Sequence, residues 1–239
     1  MMKGVITASA PGSLMLLGEH AVLHGARALV AAANRRIRVT LSPRSDRRIR
    51  IVSPLGNADL DHGRIDVPPS LRFVAAALAQ YSSRLQHGLE LRIRSNVSHQ
   101  VGLGSSAAVT VATLAVLRAH LGLRRSRLDL LREARTIIRR VQGAGSGADA
   151  AASVYGGVVL YRAEPLSVRR VAASLPITLV FSGSKRPTAE VIRLVEARRR
   201  RSRARFDDLY AKIDDCSRRG ASAAARGDHR ALGELFNLH

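Results

Sequence analysis

Residues 101–110 read VGLGSSAAVT: two glycines flank one leucine, two serines follow, and a run of small apolar residues comes next. Gly102 and Gly104 permit the left-handed backbone and the close approach that a loop wrapping an anion needs. Ser105 or Ser106 can cap the helix predicted through residue 117, whose first amides have no partner inside it. Free N–H groups and the helix dipole would then converge on one spot, which is either a phosphate cradle or a glycine turn entering a buried helix. A second glycine-rich loop, GAGSG at 143–147, opens a short helix with Asp149 in its first turn. A carboxylate there stabilises a helix dipole by about 0.3–1 kcal/mol, with or without any chemistry. Gly18-Glu19-His20 is the third polar interruption, and taken alone it is an ordinary polar turn.

Other chemistries are excluded by their absence from the sequence. Neither glycine loop has the GxxxxGK[ST] of a Walker loop or a full GxGxxG after a strand, and no GxSxG elbow or HExxH pair occurs. The single cysteine, Cys216, rules out an intrachain disulfide and a cysteine-based zinc site, and fits a reducing cytoplasm. His62, His87 and His120 are scattered and read as surface or helix-end residues rather than ligands.

The elements that must position these loops are sheet first and helix later. Residues 5–8 predict a short strand ending at Pro11-Gly12, with an apolar run at 14–17. Residues 28–33 and 37–41 predict two strands, the second alternating Ile37, Val39 and Leu41 with Arg36, Arg38 and Thr40. Residues 48–52 and 89–93 alternate in the same way, with a turn at 53–57. Pro68-Pro69-Ser70 starts a helix whose apolar face is Leu71, Val74, Ala75 and Leu78. A helix over 105–121 stops at Gly122, and Ser126 caps another over 127–142. Strands are predicted at 158–161, 168–171 and 177–181. A long helical stretch begins at Pro187-Thr188, and a last helix spans 230–238.

At 239 residues and 46% hydrophobic, the chain can fill one large or two modest domains. No apolar run reaches membrane-spanning length, and the N-terminus lacks the apolar core of a signal peptide. A net charge of +21 invites a nucleic-acid partner. Only 3% aromatic residues, and arginines spread through every segment, argue against one. The dense cluster at 198–205 reads as the solvated face of a long helix.

Taken together, the three loops give the chain a resemblance to the GHMP small-molecule kinases in their mevalonate kinase form. Ala10-Pro11-Gly12, with Gly18-Glu19-His20-Ala21-Val22 and Gly25, resembles the first signature of that family. Residues 101–108 resemble its phosphate loop, PxxxGLGSSAA. Gly145-Ser146-Gly147-Ala148-Asp149, followed by Tyr155-Gly156-Gly157, resembles the segment bearing its catalytic aspartate, and Glu234-Leu235-Phe236-Asn237 a later helix near its substrate. The resemblance implies a two-lobed α+β kinase fold. Residues 1–165 would form an ATP-binding lobe of the ribosomal protein S5 domain 2-like kind, and 166–239 part of the C-terminal lobe. It also implies ATP- and Mg²⁺-dependent phosphorylation of a small hydroxy-acid alcohol, mevalonate to 5-phosphomevalonate, in isoprenoid precursor synthesis. Gly102, Leu103, Gly104, Ser105, Ser106 and Ala107 would wrap the ATP phosphates, with the Ser106 hydroxyl on Mg²⁺. Asp149 would accept or orient the acceptor's proton, and Glu19, His20 and Thr188, with Lys185 a weaker candidate, would line the acceptor site. The implied partner is the small molecule, with a homodimer allowed and neither membrane nor nucleic acid required.

The departures from the family carry their own expectations. Ser13 stands where a lysine usually follows Ala-Pro-Gly, and arginine cannot simply inherit a lysine's roles. No carboxylate lies at 137–141, where the mevalonate kinases tend to carry a magnesium-binding glutamate; Glu133 is more than a turn earlier. GSGAD leans toward phosphomevalonate kinases and GEHAVLHG toward mevalonate kinase. The family's third, glycine-rich signature is not found within the 239 residues, so weak or absent turnover of this chain is expected. A non-catalytic nucleotide- or metabolite-binding remnant, and a basic nucleic-acid binder acting through 198–205, stand as the readings from other classes.

Overall fold

A computed structural model describes residues 4–61, 67–97, 101–124, 126–184 and 188–239. Strands β1 (Ile6–Leu17), β2 (Arg27–Pro43), β3 (Arg48–Ser53) and β4 (Gly56–Asp61) are followed by helix α1 (Arg72–Ala79) and β5 (Leu89–Ser95). Helices α2 (Ser105–His120), α3 (Arg127–Gln142) and α4 (Ala148–Tyr155) come next, then β6 (Val158–Arg162) and β7 (Ser167–Ala172). The chain continues through α5 (Thr188–Arg201), α6 (Arg203–Arg226) and α7 (His229–Leu238). The expected mixed α+β class is therefore observed.

All seven strands join one sheet built on β2. β1 lies antiparallel along one edge of β2, from Ile6 opposite Leu41 to Leu17 opposite Leu29. The other edge is shared: β5 pairs with its C-terminal half and β6 with its N-terminal half. β3 runs parallel to β5 and antiparallel to β4, while β7 pairs with β6. The two halves of β2 read differently because they are covered differently. Ile37, Val39 and Leu41 are buried while Arg36 and Arg38 face solvent, the alternation of a strand with one wet face. Ala28, Leu29 and Val30 are all fully buried: Ala28 and Val30 join the main core with α1–α4, and Leu29 packs on the opposite face against Leu17, Ala221 and Leu232. Among the described residues, no helix is long and apolar enough to cross a membrane.

Several expectations need correction. β1 does not stop at Pro11-Gly12 but runs through it as an irregularity between Pro11 and Ser13, so the two N-terminal segments are one strand. The candidates at 28–33 and 37–41 likewise fuse into β2. β4 was not expected, since Asn57, Asp59 and Asp61 give it little apolar signal; it is an edge strand that buries Leu60. Residues 177–181 form no strand. Their β-branched and aromatic pattern is intact, but among the described residues they meet no sheet edge, and Leu179, Val180 and Phe181 stay exposed. The long C-terminal helical stretch breaks at Ser202, whose backbone is non-helical at φ −149°. Finally, α2 is capped by Gly104 in the left-handed region, φ 59°, with no side-chain cap among the described residues; Ser105 and Ser106 are its first helical residues.

Candidate active site

The two glycine loops and the Glu19-His20 turn open onto one cavity of about 960 Å³. Gly102, Gly104, Ser105, Ser106 and Ala107 line it from the start of α2, and Ser146, Gly147 and Asp149 from the start of α4. Glu19 and His20 line it from the turn after β1, and Thr188 with Val191 and Ile192 from α5. Of the described residues expected in the site, Leu103 is the one that does not line the cavity. Its side chain packs on the core and its carbonyl accepts from Ser13 N at 3.2 Å. Apolar walls are supplied by Pro54, Leu55, Leu71, Phe73 and Val109.

The irregularity in β1 is where the site is locked together. Gly12 lies so close to the loop before α2 that a Cβ there would sit 2.5 Å from the Leu103 carbonyl oxygen. A Cβ on Gly104 would overlap the Ser13 hydroxyl. Ser153 of α4 donates to the Pro11 carbonyl at 2.8 Å, and the Ser13 hydroxyl donates to Asp149 Oδ1 at 2.7 Å. Three segments distant in sequence thus meet around one carboxylate. Asp149 is exposed where it lines the cavity. Loss of hydration on its protein side pushes its carboxyl above the ordinary aspartate value, and the Ser13 hydrogen bond pulls the other way.

The Gly145–Asp149 loop is braced from behind. Tyr161, fully buried, donates to the Ser146 carbonyl at 2.5 Å, and burial pushes its phenol up to about 12. Arg139 Nε donates to the Gly145 carbonyl at 3.0 Å. The buried Arg135 packs so tightly on Gly147 that any side chain there would overlap it. Arg135 also donates to the Ala163 carbonyl and to Glu164. His20 has a left-handed backbone, φ 59°, unusual for a residue with a Cβ. Burial holds its imidazole below the ordinary value, against the pull of Glu19 and Glu196, so it is neutral near pH 7. The wall formed by α5 is tied down by Glu196, which meets His24 Nε2 at 2.6 Å, and the same His24 stacks on Tyr210 of α6. Lys185 lies outside the described residues.

The donor set suits a nucleotide and Mg²⁺. The N-terminus of α2 has no side-chain cap among the described residues, so its first amides face the cavity, and no described residue outside its chain neighbours comes within 4 Å of where a Gly102 Cβ would be. This fits a polyphosphate. Among the described residues no group of three or more His, Cys, Asp or Glu side chains converges. Magnesium bound with nucleotides needs few protein ligands and keeps waters and phosphate oxygens, so a hydroxyl such as Ser106 suits it. Gln142 Nε2 reaches that hydroxyl at 3.4 Å. Glu133 turns away, bonded to Arg118 and Tyr81.

Sequence reasoning missed the roles of Ser13, Gln142, Arg135 and Tyr161. Ser13 was legible only as a departure from a family pattern, since a serine carries no sign of its partner 136 residues away. The arginine cluster lies elsewhere: Arg198, Arg201 and Arg205 line a separate groove of about 590 Å³ where α5 meets α6.

Comparison with known proteins agrees with this geometry. The description "GHMP kinases N terminal domain" matches residues 70–157, and "Galactokinase galactose-binding signature" matches residues 3–43. The mevalonate kinase of Archaeoglobus fulgidus is 36% identical over 233 residues, covering 97% of this chain and 76% of that protein. The crystal structure of the Lin0012 protein from Listeria innocua superposes with a TM-score of 0.83 at 21% identity, over 97% of this chain and 76% of the other. The structure of L. major mevalonate kinase in complex with R-mevalonate superposes with a TM-score of 0.74 at 25% identity, over 100% and 76%. The chain belongs to the GHMP kinase family, among the relatives of the mevalonate kinases.

Proposed function

We propose that this chain transfers the γ-phosphoryl group of ATP to the hydroxyl of a small hydroxy acid, with mevalonate the best-supported acceptor. The observation that carries this reading is the single cavity that gathers the uncapped start of α2, Ser106, Asp149, Glu19, His20 and Thr188. Residues 102–107 hold the phosphates, chiefly through backbone N–H groups, and the apolar walls take the base. Mg²⁺, held at Ser106, would neutralise phosphate charge. The acceptor oxygen attacks phosphorus, the bond from phosphorus to the ADP oxygen breaks, and the acceptor's proton passes to Asp149. Ligand filling the cavity displaces water from the exposed side of Asp149, which strengthens it as a proton acceptor. Neutral His20 and Glu19 orient the acceptor. Residues 1–165 are proposed as the ATP-binding lobe, with 166–239 belonging to the second. The lone buried thiol, Cys216, supports a cytoplasmic setting.

Incubation of the purified chain with ATP, Mg²⁺ and R-mevalonate tests this, with 5-phosphomevalonate read by mass. Transfer is expected, slowed by the serine at position 13, and Asp149→Asn should lower kcat by roughly 10²–10⁴-fold. A non-catalytic nucleotide-binding role is favoured by Ser13, which stands where the family usually carries a lysine. Tight nucleotide binding with no transfer to mevalonate or 5-phosphomevalonate, and no effect of Asp149→Asn on binding, selects that role.

A further inference from the structure

Ser13 sits at the irregularity of β1 with 1% of its surface exposed. Its backbone N–H is committed to the Leu103 carbonyl and its hydroxyl to Asp149 Oδ1. Gly104 presses against that hydroxyl so closely that no Cβ fits between them. The hydroxyl is therefore caged by the loop before α2 and aimed at the carboxylate. Among the described residues no other hydrogen-bond donor reaches the Asp149 side chain, and no charged group is close enough to perturb it. The elements packed on α4 explain why. β1 contributes no ionisable side chain, and Arg118 and His120 sit in the last turn of α2. Arg27 of β2 is bonded to Asp214, while its Arg35, Arg36 and Arg38 are exposed. Arg135 and Arg139 of α3 are turned to the Ala163 and Gly145 carbonyls, and Tyr161 of β6 to Ser146. Asp149 is thus a carboxylate with one oxygen fixed by a neutral donor and the other left to the cavity.

We propose that Ser13 is the positioning residue of this site: its hydroxyl fixes Asp149 Oδ1, so that Oδ2 is presented to the acceptor's hydroxyl, and stabilises the carboxylate. Here a neutral hydroxyl takes the place of a cation, and among the described residues no charged group shares the carboxylate. The proposal deepens the kinase reading and rests on it for the identity of the proton that Oδ2 accepts. A hydrogen bond to the charged form lowers a carboxyl pKa, so deleting the donor raises it.

The test titrates the carboxylate directly. Protein labelled with ¹³C at the aspartate Cγ is followed by NMR against pH, with Asp149→Asn assigning the signal. Ser13→Ala is expected to move the Asp149 midpoint upward by about one pH unit, the size of one charge-assisted hydrogen bond. Ser13→Thr, which keeps the hydroxyl, should hold the wild-type midpoint. The acid limb of kcat/KM should move with the NMR midpoint in each variant. An unchanged midpoint in Ser13→Ala, or an acid limb that ignores a shifted midpoint, overturns the proposal. A shifted midpoint in a chain that transfers no phosphoryl group leaves the positioning role standing and sinks the kinase reading instead.

Discussion

At the scale of residues, the two glycines of the loop before α2 are under different constraints, and the difference is measurable. Both have positive φ, 76° at Gly102 and 59° at Gly104, so either substitution by alanine costs about 1–2 kcal/mol of backbone strain. At Gly104 a Cβ also overlaps Ser13, and with it the hydrogen bond to Asp149. At Gly102 it meets no described residue outside its chain neighbours. Gly104→Ala should therefore destabilise the fold by more than Gly102→Ala, by roughly 1–3 kcal/mol of overpacking, as read by urea denaturation. Gly102→Ala should weaken nucleotide binding with a smaller loss of stability. Equal stability losses would show that the Ser13 contact is not tight. This pair also marks what sequence could and could not convey. GLGSS announces a loop beside an anion, because the need for glycine is local. That Gly104 is required by a serine on β1 is tertiary, and no spacing encodes it.

At the scale of elements, α6 is fastened to the sheet by a charge and by a close approach. Asp214 accepts from the Arg27 backbone N–H at 2.6 Å and from Arg27 Nε at 2.9 Å, where β2 begins, and it also pairs with Arg27 Nη2. The arginine hydrogen bonds hold the Asp214 carboxyl below the ordinary aspartate value. Because the folded-state value is depressed, the stabilisation is fully present above the unfolded value of about 4 and is lost as pH falls through the folded one. Asp214→Ala should cost about 1–2 kcal/mol at pH 7 after allowance for partial solvent exposure, and the gap to wild type should close below pH 4. A gap that stays constant with pH would mean that packing, rather than charge, makes the clasp. Gly220 marks the close approach, since a Cβ there would lie 2.6 Å from Leu17 Cδ1. Gly220→Ala should lower stability by about 1–3 kcal/mol despite alanine's better helix propensity. Elements of this kind were legible wherever period and punctuation agreed. Ser126 caps α3 by accepting from Asp129 N at 3.1 Å, and Gly143 ends it in the left-handed region. They were misread where neighbours decide: β1 passes through Pro11-Gly12 because β2 pairs on both sides of it, and 177–181 stays unpaired despite a strand-like pattern.

At the scale of the molecule, the cavity is enclosed by parts that the sheet alone brings together, while the formal charge of +21 acts on all of them at once. At 10 mM salt the screening length is about 30 Å, comparable to a domain of this size, so every cation repels every other. Near 0.15 M it falls to about 8 Å and only neighbours interact. Added salt also weakens surface ion pairs, such as Lys212 with Asp208 at 2.8 Å, but each of these is worth about 0–1 kcal/mol at most. With basic groups outnumbering acidic ones 39 to 18, relief of repulsion wins, and Tm should rise between 10 and 300 mM NaCl. The same excess charge draws any polyanion, most strongly at the groove of Arg198, Arg201 and Arg205, so low-salt stabilisation by ATP does not identify a nucleotide site. Tripolyphosphate separates the two effects. Its stabilisation should fade by 300 mM NaCl, because it is mostly long-range charge. On the proposed reading that of ATP with Mg²⁺ persists, because the apolar walls of the cavity would hold the base by contacts that salt does not screen. Equal fading of both, followed by differential scanning fluorimetry, would move nucleotide binding from the cavity to the basic surface.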